Sequence, residues 1–163
     1  MTQTESNKVS TTDIYNYIQV NDQIATGGQP TADHLRSAAA EGFITVINLA
    51  TTQSPPALED EAGLVRSLGL NYYHIPVEWD DPKESDFTAF EGLMKQIPTG
   101  KTLIHCAANF RVTAIYSLYA QKHLGWTGEQ AEAFRAAIWR GSDYPIWEQF
   151  IAHIRAGIDR ASL

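Results

Sequence analysis

Phe43-Ile44-Thr45-Val46-Ile47-Asn48-Leu49 is a nearly continuous run of apolar and β-branched residues. Such a run marks a strand buried on both faces, because it has no polar side to offer to water. A strand of that kind belongs inside a sheet covered by helices on both sides. The rest of the chain is read around this requirement.

Tyr17-Ile18-Gln19-Val20 and Gln23-Ile24-Ala25-Thr26 alternate on either side of Asn21-Asp22, which predicts a hairpin. Thr31 is placed to N-cap a helix running to about Glu41 and closed by Gly42. A helix is expected from about Ala57 to Leu68, with Glu59, Asp60 and Glu61 in its first turn, where acidic groups suit the helix dipole. Tyr72 to Val77 reads as a strand. Asp81-Pro82-Lys83-Glu84 reads as a capped helix start, followed by Phe87, Phe90, Leu93 and Met94 on one face. Lys101 to His105 is a short strand, and Val112, Ile115, Leu118 and Tyr119 follow helical spacing up to Gly125. Thr127 and Gln130 form a capping box, and Trp147, Phe150, Ile151, Ile154 and Ile158 stripe the last helix. Strands alternating with helices predict an α/β fold: a mainly parallel central sheet flanked by helices in three layers. The expected organisation is a flexible tail over residues 1–13 and a single domain over 14–163.

A length of 163 residues suits one domain. The formal net charge of -7 argues against a general nucleic-acid or anionic-membrane binder, so any bound anion must be held by a local site. The single cysteine excludes an internal disulfide and a Cys-rich zinc site, and the five histidines are scattered, so neither metal nor cofactor is expected. No apolar run approaches the roughly 18 residues of a membrane span. The first thirteen residues hold no apolar segment, so the chain as given reads as cytoplasmic, with the periplasm as the alternative if a leader was removed. Nothing in the sequence sets an oligomeric state.

In open α/β sheets, ligands bind beyond the carboxyl ends of the strands. There Lys101–His105 runs into Cys106-Ala107-Ala108-Asn109-Phe110-Arg111, with a helix expected from about Val112. Backbone N–H groups of such a loop, the end of a helix and the Arg111 guanidinium all favour an anion. Cysteines in settings of this kind titrate at roughly 3.5–7.5 instead of about 8.5. The segment therefore combines a candidate nucleophile, Cys106, with a candidate oxyanion site made by Ala107, Ala108, Asn109, Phe110 and Arg111. A small buried core cysteine is the plainer alternative.

His105-Cys106…Arg111 resembles the His-Cys…Arg loop of the cysteine-dependent protein tyrosine and dual-specificity phosphatases. Gly28-Gln29-Pro30 with Ala32 to Leu35, the run 43–49, and His74-Ile75-Pro76-Val77 are similar to a narrower bacterial group, the beta-lactamase-hydrolase-like, phosphatase-like domain family. The resemblance spans about residues 14 to 125. It implies a phosphatase-like fold and phosphomonoester hydrolysis through a cysteinyl-phosphate on Cys106, acting on a small anionic or phosphorylated molecule. Four residues separate Cys106 from Arg111 where the phosphatase loop has five, a spacing shared by the narrower group and by many rhodanese-like sulfurtransferases. Asn109 stands where a glycine is usual, and Val112 where a Ser or Thr is usual, with Thr113 one residue later.

A phosphatase also needs a proton donor for the leaving alcohol. The resemblance puts it in Glu78-Trp79-Asp80-Asp81-Pro82, with Asp80 and Asp81 as candidates; Asp81 as a helix cap is the competing reading. Trp79 either walls the pocket or packs in the core. Gln29 is a candidate pocket residue, and His105 a support for the loop through its ring. Asn48 is expected to brace a loop at the same sheet edge, and Trp126, Trp139 and Trp147 to lie in the core. Two alternatives stay open: a sulfurtransferase carrying a persulfide on Cys106, and a non-catalytic anion-binding module.

Overall fold

The run 43–49 supplies β3 (Phe43–Asn48), whose residues are buried along nearly its whole length. The computed structural model describes residues 9–55 and 57–161. Its sheet also contains β1 (Ile18–Gln19), β2 (Ile24–Gly27), β4 (Asn71–His74) and β5 (Lys101–His105), in the order β1-β2-β5-β3-β4. Among the described strands, β1 and β2 form an antiparallel hairpin, while β2, β5, β3 and β4 run parallel. The parallel α/β architecture read from the sequence is the architecture of the protein.

The helices are α1 (Ala32–Ala40), α2 (Glu61–Ser67), α3 (Glu84–Gln96), α4 (Phe110–His123), α5 (Gly128–Ala136) and α6 (Pro145–Ala161). None is long and apolar enough to cross a membrane among the described residues. Side chains alternate across a strand, so neighbouring core residues belong to different faces. Ala25, Val46 and Leu103 pack with Leu35 and Ala38 of α1 and Val65 of α2. Ile47 and Ile104 pack with α3, α4 and α6 through Phe90, Ile115 and Trp147. Phe43 shares the face of Val46 despite an odd spacing, because the pairing with β5 slips between Phe43 and Thr45.

Several boundaries differ from the sequence reading, each for a local reason. Helix α2 starts at Glu61 and not at Ala57, because the Asp60 carboxylate takes the N–H of Gly63 and fixes the start there. Helix α3 starts at Glu84: Asp86 accepts from the Lys83 N–H, while Asp81 pairs with the Lys83 ammonium and is not the cap. Strand β4 stops at His74; Ile75 donates to the Asn48 carbonyl, but Val77, two residues on, donates to Leu49, only one residue on, so the even spacing of the ladder is lost. Residues 1–8 of the expected tail lie outside the described residues. Residues 9–13 do not behave as a tail: Thr11–Asp13 form a capped turn, held to α1 by Ser37 on the Val9 carbonyl and by Glu41 on Ser10 and Thr11.

Candidate active site at the carboxyl edge of the sheet

Strand β5 lies between β2 and β3, so the residue that leaves it is surrounded by its neighbours' loops. Cys106 is fully buried, and its N–H donates to the Gly27 carbonyl at 3.2 Å. The chain then turns sharply into α4 through Asn109, whose φ of 68° is left-handed, a conformation that Asn accepts more readily than most residues. The loop's carbonyls are drawn outward. Ala107 O accepts from the Gln29 N–H at 2.9 Å, and Ala108 O accepts from the Asn16 amide at 2.9 Å. Gly28 permits this closeness, since a Cβ there would stand 2.7 Å from Ala107 O. Among the described residues, the N–H groups of Ala107, Ala108, Phe110 and Arg111 have no hydrogen-bond partner in the chain. Those of Phe110 and Arg111 are the free donors at the start of a long helix.

Beside this loop is a cavity of about 240 Å³ lined by Trp79, Cys106, Ala107, Ala108, Phe110, Arg111 and Tyr144. Its walls are aromatic and mutually braced. Trp79 meets Tyr144 edge-on at 5.1 Å and stacks on Trp147 at 5.3 Å, and Phe110 stacks on Trp139 at 5.2 Å.

Arg111 is only 5% exposed. It donates to the Val77 carbonyl at 2.9 Å and to Ser54 Oγ at 3.4 Å, and sits 6.0 Å from the centre of the Trp79 ring. Among the described residues no carboxylate lies within ion-pairing distance of it. The other buried arginine, Arg135, is paired with Glu132. Burying an ion without a counter-charge costs several kcal/mol. At Arg111 that cost falls on a guanidinium lining a cavity, next to four unused N–H donors. The arrangement is suited to an incoming oxyanion.

Behind the loop is a buried polar chain. His105 Nε2 lies 2.5 Å from Glu61 Oε2, and its Nδ1 lies 3.2 Å from the Cys106 carbonyl oxygen. Gln29 Nε2 donates to the other Glu61 oxygen at 2.8 Å and to the Pro30 carbonyl at 3.0 Å. Burial pushes the Glu61 carboxyl up, but hydrogen bonds from His105 and Gln29 and the charges of His105 and His74 outweigh it and hold it below the usual carboxylate range. A carboxylate depressed by folding contributes stability above its unfolded value of about 4.3, and that contribution is lost as pH falls through the lower folded value. Urea unfolding at a series of acidic pH values should therefore show a shallower loss of stability for Glu61→Gln than for the wild type; equal slopes would show that the pair adds nothing to folding.

The sequence-predicted residues fall into two groups. Cys106, Ala107, Ala108, Phe110 and Arg111 come together around the cavity with Trp79, one of whose two readings was a pocket wall. Gln29 does not line this cavity; it is buried against Glu61. The Asn109 amide donates to the Asn16 carbonyl and to Thr26 Oγ1, so it is tied to β2 and the first loop. Thr113 donates to the Asn109 and Phe110 carbonyls and accepts from the Trp139 indole, which locks the start of α4. Asn48 bonds the Tyr72 hydroxyl and the Ala50 N–H and so braces the turn after β3. Asp80 and Asp81 are both exposed and neither lines the cavity; Asp81 is held by Lys83 at 3.0 Å. Sequence reading missed Asn16, Ser54, Glu61 and Tyr144. The only advance signal was Glu61 itself, an acid in a helix's first turn, where acids are ordinary.

The layered parallel fold and the Cys106–Arg111 loop at its carboxyl edge define a protein of the cysteine-dependent phosphatase-like class. No family model matches the chain. A DUF442 phosphatase-like protein of Shewanella putrefaciens CN-32, known as a crystal structure, superimposes with a TM-score of 0.80 and 31% identity, over 88% of this chain and 91% of that one. The chain belongs to this DUF442 phosphatase-like family. A beta-lactamase hydrolase-like protein of Xylella fastidiosa is 29% identical over 104 residues, 62% of this chain and 24% of that protein. The match thus spans about a quarter of the length of the curated relatives. P. aeruginosa TpbA shares the fold, with a TM-score of 0.71 and 14% identity over 90% of each chain.

Proposed function

We propose that the protein is a cysteine-dependent phosphomonoester hydrolase, with Cys106 as nucleophile and Arg111 as the principal anion ligand. The observation that carries this reading is the buried, carboxylate-free Arg111 beside four unused backbone N–H groups and the sulfur that would attack. The Cys106 thiolate attacks phosphorus, a sulfur–phosphorus bond forms, and the phosphorus–oxygen bond to the alcohol breaks. Arg111 and the loop N–H groups hold the phosphoryl oxygens, where charge is spread in the transition state. Water then cleaves the sulfur–phosphorus bond and releases phosphate and the thiolate. The aromatic walls suit a flat or apolar group on the ester oxygen. Membership of a phosphatase-like family supports the same chemistry.

Asp80 is the better placed proton donor, as the neighbour of the wall residue Trp79, whereas Asp81 is engaged by Lys83. Asp80→Asn should lower turnover of alkyl phosphates by about 10²–10⁴-fold and matter much less for p-nitrophenyl phosphate, whose leaving group needs little proton assistance. Steady-state rates on the two substrates check this, and equal losses on both would remove Asp80 from the role.

The competing chemistry at the same cavity is sulfur transfer, which membership of a phosphatase-like family does not favour. Sulfur transfer needs no acid there. The Cys106 thiolate would attack the outer sulfur of thiosulfate, sulfite would leave, and the resulting persulfide would pass its sulfur to a thiol. Mass spectrometry of the quenched enzyme separates the two, since a phosphoryl adduct on Cys106 supports the hydrolase. A sulfur adduct formed from thiosulfate, without phosphate turnover or inhibition by vanadate, would replace it with the transferase.

A further inference from the structure

Glu61, His105 and Cys106 form a buried line from α2 through β5 to the head of the loop. Glu61 is 6% exposed and His105 not at all, so the contact between them is largely screened from water. The two ring nitrogens of His105 each face an oxygen: a carboxylate oxygen at 2.5 Å and the Cys106 carbonyl at 3.2 Å. A carbonyl only accepts, and an ionised carboxylate only accepts. A neutral ring has one N–H and satisfies one of these contacts; the doubly protonated ring satisfies both. Gln29 fills the second Glu61 oxygen, so the carboxylate is held from both sides and cannot turn away.

We propose that Glu61 is a positioning residue: its carboxylate keeps His105 doubly protonated behind the loop, and through that ring fixes the Cys106 carbonyl and favours the thiolate. The proposal rests on Cys106 being the reacting group, but not on whether phosphorus or sulfur is transferred. The imidazolium contacts the Cys106 backbone directly, and the carboxylate stands one group further away. The nearer charge dominates at Cys106, so the pair acts on the sulfur as a positive group. Glu59 and Asp60 share a surface cavity with Glu61, and Arg66 lies over the Tyr72 ring. His74 and the Tyr72 hydroxyl approach Glu61 from β4, and His74 is itself engaged with the Ala50 carbonyl at 2.6 Å. Burial, with a smaller contribution from the Glu61 charge and against the Asn48 hydrogen bond, pushes the Tyr72 phenol up to about 12, so it stays neutral. Arg111 lines the cavity with Cys106 and is untouched by a change at Glu61.

Without the carboxylate, a fully buried imidazolium has no counter-charge and gives up its proton. Because the chain has one cysteine, thiolate ultraviolet absorbance reports on Cys106 alone and needs no substrate. In Glu61→Gln the pH at which the thiolate appears should rise by about one unit or more relative to the wild type. An unchanged titration in a folded Glu61→Gln protein would overturn the proposal, since a purely structural contact leaves the sulfur's titration where it was. Should that variant fail to fold, nitrogen NMR of the wild-type His105 ring decides: protons on both nitrogens at neutral pH support the proposal, and a single-tautomer ring overturns it. If both readouts hold while no phosphate turnover is found, the phosphorus chemistry falls and the role of Glu61 stands.

Discussion

Cys106→Ser is expected to bring hydrolysis of aryl and alkyl phosphates down to background while the protein still folds and binds vanadate. A serine hydroxyl is the same size but remains un-ionised over the pH range in which a thiolate forms, so the attacking group is lost and the anion cradle is not. In the proposed mechanism the anion is held by Arg111 and by backbone N–H groups, none of which the substitution alters. The hydroxyl would sit at a fully buried position, and a loss of about 1–3 kcal/mol is the scale for an unsatisfied buried polar group. Turnover measurements with equilibrium vanadate binding and urea unfolding check all three parts. Full activity in Cys106→Ser would end every reading in which this residue carries the chemistry.

Arg111→Met should separate function from folding more sharply. Loss of a preorganised donor to a developing oxyanion costs about 10²–10³ in turnover, or about 2.7–4 kcal/mol. Stability should move the other way or stay level. The wild type holds a desolvated guanidinium without a carboxylate partner, and an apolar side chain of similar length removes that burden at the loss of the bond to the Val77 carbonyl. Arg111→Lys should also lose most activity, because a point charge does not replace a planar two-point grip. Denaturant midpoints measured beside kcat decide the matter. An Arg111→Met protein that unfolds easily but stays active would make Arg111 a structural residue and leave the loop without its function.

What the sequence made legible was local. The run 43–49, the caps at Thr31 and Thr127 and the strand–loop–helix around Cys106 all depend on neighbours a few residues apart, and each appears in the structure. The candidate site was legible where it is one segment, from His105 to Arg111. It was illegible where distant segments complete it. Glu61 looks like any acid at a helix start, and only the packing of α2 against the sheet brings it to His105, 44 positions away. Asn16 looks like a turn residue, and its bond to Ala108 spans 92 positions. Asn109 belongs to the candidate oxyanion loop by sequence, but its amide is taken by the Asn16 carbonyl and Thr26 Oγ1. A helix start at Ala57 is four residues early because Glu59 and Asp60 fit a first turn as well as Glu61 does, and only the Asp60 bond to Gly63 separates cap from helix.

The outward-facing carbonyls of the loop make the segment 106–111 a poor candidate for transplantation. Its conformation is held by Asn16 on Ala108, by the Gln29 N–H on Ala107 and by the bare backbone of Gly28. A graft of the cysteine-to-arginine stretch into another strand–helix junction would carry the sulfur and the guanidinium but not the anchors that keep the N–H groups free. The smallest transferable unit includes the turn around Asn16 and the corner at Gly28-Gln29, three pieces brought to one edge because β1 runs antiparallel to β2 while β5 runs parallel to it.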